Sequence, residues 1–146
     1  MKDINSYSEM EMYVTWGDCD AAGISYYARN FDWFTNGRLH FFREHGFPYM
    51  TKLHENNIFL VCISANCQYK KMLYPDEKIT VRTYLKSFSR AKMTFLYEVI
   101  KQTGEIAAEG STVHAFADQS GHAFDMKKRF PELWSEMNSK LSLNVP

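Results

Sequence analysis

Two hydrophobic periods divide the chain. Between Ala28 and His45, the residues Phe31, Phe34, Arg38, Phe41, Phe42 and His45 recur at three- and four-residue spacing, which predicts an amphipathic helix. Gly46 and then Pro48 supply its stop signal, and 48–57 reads as a short second helix or ordered loop. From Ile58 onward the period falls to two. Ile79, Val81, Thr83 and Leu85 alternate through 78–88, and Met93, Phe95, Tyr97 and Val99 alternate through 92–102. Runs at 58–69 and 106–118 have the same strand character, and the β-branched and aromatic bias of 10–16 predicts a first strand after a loose polar lead-in at 1–8. Pro75-Asp76 and Thr103-Gly104 read as hairpin turns, and Pro131 opens a short C-terminal helix over 130–140.

The order is strand, long helix, then four alternating strands. Alternation of this kind belongs to antiparallel strands with one face on a core. The expected fold is therefore α+β, a five-stranded antiparallel sheet wrapped around one long helix, as a single domain over 1–146. Gly37 inside the helix costs about 1 kcal/mol relative to Ala, a cost offset if the helix lies close against another backbone. One helix cannot cover both faces of five strands, so the leftover apolar surface predicts a homo-oligomer, a dimer or tetramer.

Composition narrows the function classes. Lys+Arg and Asp+Glu are equal at 17 each, which argues against a nucleic-acid partner on bulk charge. The aromatic share of 16% is high, enough to line a pocket for a flat apolar ligand as well as to fill a core. Cys19, Cys62 and Cys67 form no CxxC pair, so neither a disulfide framework nor a zinc site is expected, and reduced thiols fit a cytoplasmic protein. The polar start predicts no export signal, and no run of apolar residues is long enough to predict a membrane span. His40 and His45 fall on different helix faces, a poor metal geometry, and His114 within a strand reads as a core or pocket residue. No GxSxG, Walker or dinucleotide-binding motif is present.

The chemistry concentrates where the first strand gives way to the helix, in Trp16-Gly17-Asp18-Cys19-Asp20-Ala21-Ala22-Gly23-Ile24-Ser25-Tyr26-Tyr27. A helix start offers unpaired N–H groups and a positive dipole end, so a carboxylate beside it could attack, or activate water to attack, a carbonyl held by those donors. Asp20 fits that role, but a helix cap or an Asx-turn would use the same residue. Gly23 permits a tight turn or close approach of a ligand. Tyr26 and Tyr27, without a motif, read as ordinary buried aromatics with wet hydroxyls. Cys19 lies between two acids that would raise its pKa, which argues against a thiolate nucleophile. Arg90 and Lys92 flank a hairpin.

This run, continuing through Asn30-Phe31 to Arg38 and Gly46, resembles the 4-hydroxybenzoyl-CoA thioesterase family of hotdog-fold proteins. The resemblance implies a homo-oligomeric hotdog fold that hydrolyses acyl- or aroyl-CoA thioesters without metal or redox cofactor. It places the catalytic carboxylate on Asp20, leaves Asp18 as the structural acid, and gives the backbone N–H of Tyr27 the thioester oxygen. Gly23 would keep the turn close to the ligand, Tyr26 would join the substrate wall, and Arg90 and Lys92 would meet the CoA phosphates. Two alternatives stand beside this: a thioesterase acting on an acyl carrier protein, whose acidic surface would suit a basic rim of Lys70, Lys71, Arg90 and Lys92, and a module that binds acyl-CoA without turnover.

Overall fold

A computed structural model describes residues 6–141. Five antiparallel strands, β1 (Tyr7–Tyr13), β2 (Phe59–Tyr69), β3 (Lys78–Phe88), β4 (Lys92–Lys101) and β5 (Ile106–Ala117), form one sheet in the order β1-β3-β4-β5-β2. The long helix α1 (Arg29–Glu44) lies across its inner face. Short helices α2 (Tyr49–Lys52) and α3 (Met126–Arg129) and the C-terminal α4 (Pro131–Leu141) complete the described chain. The α+β class and the wrapped antiparallel sheet are as the periodicity predicts.

The alternating residues do the packing. Ile79, Val81, Thr83 and Leu85 of β3 and Met93, Phe95, Tyr97 and Val99 of β4 are all buried, facing α1. Phe34 stacks on Tyr97 with ring centroids 4.3 Å apart, and Phe41 and Phe42 meet Phe95 at 5.7 and 5.9 Å. Aromatic pairs at these separations add to the gain from burial alone. Gly37 does come close to the sheet, but against side chains: a Cβ there would stand 2.5 Å from Thr83 Oγ1 and 3.2 Å from Val81 Cγ1. Phe88 packs on Trp134, and Met137 and Leu141 bury the inner side of α4.

Three expectations are corrected. The first strand begins at Tyr7 and ends at Tyr13, so Tyr7 and Ser8 are not a loose lead-in, while residues 1–5 lie outside the described chain. Ser6 anchors this start: its hydroxyl donates to the Leu141 carbonyl at 2.9 Å and meets His45 Nε2 at 2.9 Å. The strand stops early because Asp18 Oδ2 accepts from both the Thr15 N–H (2.8 Å) and the Thr15 hydroxyl (3.0 Å), turning Trp16–Asp18 into a single 3-10 turn. Pro75-Asp76 is not a hairpin turn. β2 pairs only with β5, so the segment after Tyr69 crosses to the far side of the sheet, where Asp76 N–H bonds the Val14 carbonyl and Val14 N–H bonds that of Glu77.

α1 leans over β1 and β3. β2 is thereby left at the margin with one edge unpaired among the described residues, and Val61, Ile63 and Tyr69 are 40–52% exposed. No helix among the described residues is long and apolar enough to cross a membrane.

Candidate active site

The loop between β1 and α1 is held by its own backbone. Cys19 and Ser25 form an isolated bridge, Asp20 N–H bonds the Ile24 carbonyl (3.0 Å), and Gly23 N–H bonds the Asp20 carbonyl (3.0 Å). Gly23 takes a φ of +78°, a left-handed conformation that favours glycine and closes the turn. Ser25 N–H reaches the Leu73 carbonyl and ties the loop to the crossover segment, while Tyr26 N–H closes the loop on the Asp18 carbonyl.

The two acids are placed differently. Asp18 is engaged: Oδ2 accepts the two Thr15 donors, and Oδ1 lies 3.9 Å from Arg29 Nε. Arg29 also reaches the Gly17 carbonyl at 3.0 Å and Asp32 at 3.1 Å. Asp20 is exposed, and only Oδ1 is engaged, accepting the Ala22 N–H at 2.9 Å in an Asx-turn. The bland reading of Asp20 is thus present in the geometry, and it leaves Oδ2 without a partner among the described residues. Burial first, then the charges of Asp18 and Asp20, push the Cys19 thiol pKa up, away from nucleophilic character.

At the start of α1 no side chain caps the helix, and Ala28 occupies the N-cap position with φ −72°. Arg29 N–H bonds the Tyr26 carbonyl at 2.9 Å, whereas the N–H groups of Tyr27 and Ala28 donate to no acceptor among the described residues. Such orphan donors suit a negative oxygen. Tyr26 and Tyr27 stand beside them, rings 4.7 Å apart, 41% and 61% exposed rather than buried.

Asp20, Gly23, Tyr26 and Tyr27 are therefore brought together, and Arg90 and Lys92 are not. In the sheet register Tyr69, which touches Tyr27, is level with Val99, and Lys92 lies further along β4 by roughly 20 Å at about 3.3 Å per residue. Arg90 pairs with Asp125 through two contacts, 3.0 and 2.6 Å, and Asp125 in turn caps α3. Lys92 is exposed with no carboxylate within 4 Å among the described residues. Lys70 and Lys71 are paired with Glu109 and Glu105 of the same chain.

Two side chains at the site escaped sequence reasoning. Tyr69, at the end of β2, donates its hydroxyl to the Tyr27 carbonyl at 2.8 Å, and Asn30 is 2% exposed with Nδ2 at 3.4 Å from the same oxygen. Tyr69 carries no motif, and Asn30 lies in the Asn30-Phe31 stretch of the motif run, which assigns it no role. Their roles follow from a strand pairing and a helix start that only the folded chain displays.

Comparison with known proteins bears on the family and the fold. Residues 14–141 match the family model described as the thioesterase-like superfamily. An Aquifex aeolicus (strain VF5) protein named as an esterase is 35% identical over 101 residues, 69% of this chain and 77% of that protein. YneP of Bacillus subtilis (strain 168), named as an acyl-CoA thioesterase, is 25% identical over 126 residues, 86% of this chain and 91% of its own length. Among solved structures, a DHNA-CoA thioesterase from Staphylococcus aureus is 28% identical and superposes with a TM-score of 0.85, covering 94% of this chain and 91% of that one. The chain belongs to the thioesterase-like superfamily and is a hotdog-fold thioester hydrolase of the acyl-CoA kind.

Proposed function

We propose that the protein hydrolyses an acyl- or aroyl-CoA thioester, with Asp20 as nucleophile or general base and the Tyr27 backbone N–H holding the carbonyl oxygen. One observation carries the reading: the Asp20 carboxylate keeps Oδ2 open on the loop that leads into an uncapped helix start with an unpartnered Tyr27 N–H. In the nucleophilic route Oδ2 attacks the thioester carbon, the C–S bond breaks to release the thiolate, and water then hydrolyses the mixed anhydride. In the general-base route Asp20 takes a proton from water as its oxygen attacks the same carbon. Both place charge on the carbonyl oxygen, where the helix-start donors act. Gly23 and Tyr26 form the near wall, and a good thiolate leaving group needs little acid assistance.

Arg90 and Lys92 enter this reading through a second copy. Two chains joined antiparallel along the free edges of β2 set the Phe59 end of one beside the Tyr69 end of the other. The basic end of the second copy, where Lys127 and Lys128 of α3 stand beside Arg90, then faces the first copy's Asp20 loop. That cluster suits the CoA phosphates, and an acidic carrier protein would compete for it.

The test is thiol release from a panel of acyl- and aroyl-CoA thioesters by wild type and Asp20→Asn. Turnover that falls at least about a hundredfold in the variant, the scale of a lost acid–base group, supports the proposal. Equal rates in the two proteins sink it, and turnover restricted to carrier-protein thioesters moves the substrate to that class.

A further inference from the structure

We infer that the oxyanion pocket has a second backbone donor, the N–H of Ala28, and that Tyr69 is the residue that positions and polarises it. The inference rests on the reading of Asp20 and Tyr27 given above.

Every backbone N–H shares a rigid plane with the carbonyl of the residue before it. The Tyr27 N–H shares its plane with the Tyr26 carbonyl, which Arg29 N–H fixes at 2.9 Å. The Ala28 N–H shares its plane with the Tyr27 carbonyl, and no backbone donor among the described residues engages that oxygen. Tyr69 does so instead, from the end of β2, donating its hydroxyl at 2.8 Å across 42 residues of sequence. Asn30 Nδ2 adds a longer contact at 3.4 Å. Both planes that carry an unpartnered N–H are thus clamped through their carbonyls, one by the helix and one by a side chain.

A hydrogen bond received at the carbonyl draws electron density toward oxygen and strengthens the N–H of the same amide as a donor. Tyr27 and Ala28 are the central residues of the turn that Arg29 N–H closes on the Tyr26 carbonyl directly before α1. Ala28 is already helical at φ −72° and ψ −16°, so the adjacent N–H groups of the two residues continue the donor end of the helix and can serve one oxygen. The Tyr69 ring meets the Tyr27 ring edge-on at 6.4 Å and 88°, which fixes its approach. Burial first, then its contact with Cys67, pushes the Tyr69 pKa up to about 12, so the hydroxyl keeps its donating proton through the neutral range. A tie that only fastened β2 to the loop would need none of this alignment with an unpartnered amide.

The test uses the best CoA thioester of the panel. Tyr69→Phe removes the hydroxyl alone and is expected to lower kcat about tenfold with KM within about twofold, a weakening smaller than loss of an oxyanion donor. Ala28→Pro deletes the N–H at a φ of −72° that proline adopts without strain, and is expected to lower kcat about a hundredfold or more. In the Ala28→Pro background, Tyr69→Phe should have no further effect, because its target is already gone. The infrared carbonyl stretch of a bound ketone analogue, with CH2 in place of the thioester sulfur, should rise in Tyr69→Phe; a purely structural tie would not move it. Should Ala28→Pro not fold, Tyr69→Phe and the infrared shift decide alone. A wild-type kcat and unshifted carbonyl in Tyr69→Phe, or losses that add in the double variant, overturn the inference while Asp20→Asn remains inactive. An active Asp20→Asn instead overturns the underlying reading, and this inference with it.

Discussion

The imidazole of His114 is 1% exposed, with Nε2 2.8 Å from Thr112 Oγ1 and Nδ1 without a hydrogen-bond partner. Thr112 in turn meets the Tyr97 hydroxyl, which accepts from Arg38 at 2.9 Å. Burial, and then the Arg38 charge, lower the His114 pKa to about 4. Its folded pKa therefore lies below the unfolded value near 6.5, and the unfolded chain takes up the proton first as pH falls. Stability from this residue is complete above about pH 6.5 and drains away down to about pH 4, by up to about 3 kcal/mol. Urea unfolding at several pH values should show this slope in wild type and a flatter one in His114→Gln. The comparison is needed because Asp118 and Asp125, whose pKa values their hydrogen bonds lower, also lose stability in acid. His114 was legible as a core or pocket residue from its place within a strand. Its partners were not legible, because Arg38 and Tyr97 belong to elements 59 residues apart in sequence.

The elements themselves were legible wherever one face is buried, since alternation in β3 and β4 and the spacing of α1 record that burial directly. Boundaries set by side-chain chemistry were not: nothing in the period of residues 10–16 announces that Asp18 folds back on Thr15. Nor does a Pro-Asp pair say whether the strands it joins are neighbours. The site divides along the same line. The carboxylate loop and helix start are one contiguous segment and could be read, whereas Tyr69 reaches them only through the position of β2. Gly110 in β5 marks another such meeting of elements. A Cβ there would collide with the Asn66 carbonyl oxygen of β2 and stand 2.8 Å from Phe34 Cε2 of α1. Gly110→Ala must push strand and helix apart at once, and about 3 kcal/mol of lost stability is expected in denaturant unfolding. A loss below about 0.5 kcal/mol would show that β2 yields easily at this point.

For the molecule as a whole, β2 is the exposed margin. Its Ile63 is 52% exposed beside an edge that no described strand pairs, and such edges tend to recruit another strand. If a second copy binds there and contributes the basic end of the site, Ile63→Lys should leave a folded monomer by sedimentation velocity and raise KM for CoA thioesters. An unchanged association state would direct the search for the interface elsewhere.

The strand order carries a consequence for how the chain is made. β1 and β2 are first in sequence yet occupy the two outer positions, each paired only with a strand that is translated later. The β3–β4–β5 meander can zip locally, but β2 has no partner until β5 is made; their pairing begins with Tyr69 on Ala108 and is complete only with Phe59 on Ala117. α1 can dock earlier, on β1, β3 and Phe95 of β4, but chains with late, non-local pairings such as that of β2 with β5 fold slowly and expose apolar surface on the way. On the ribosome, the strand that brings Tyr69 to the carboxylate loop waits for the last strand to be made.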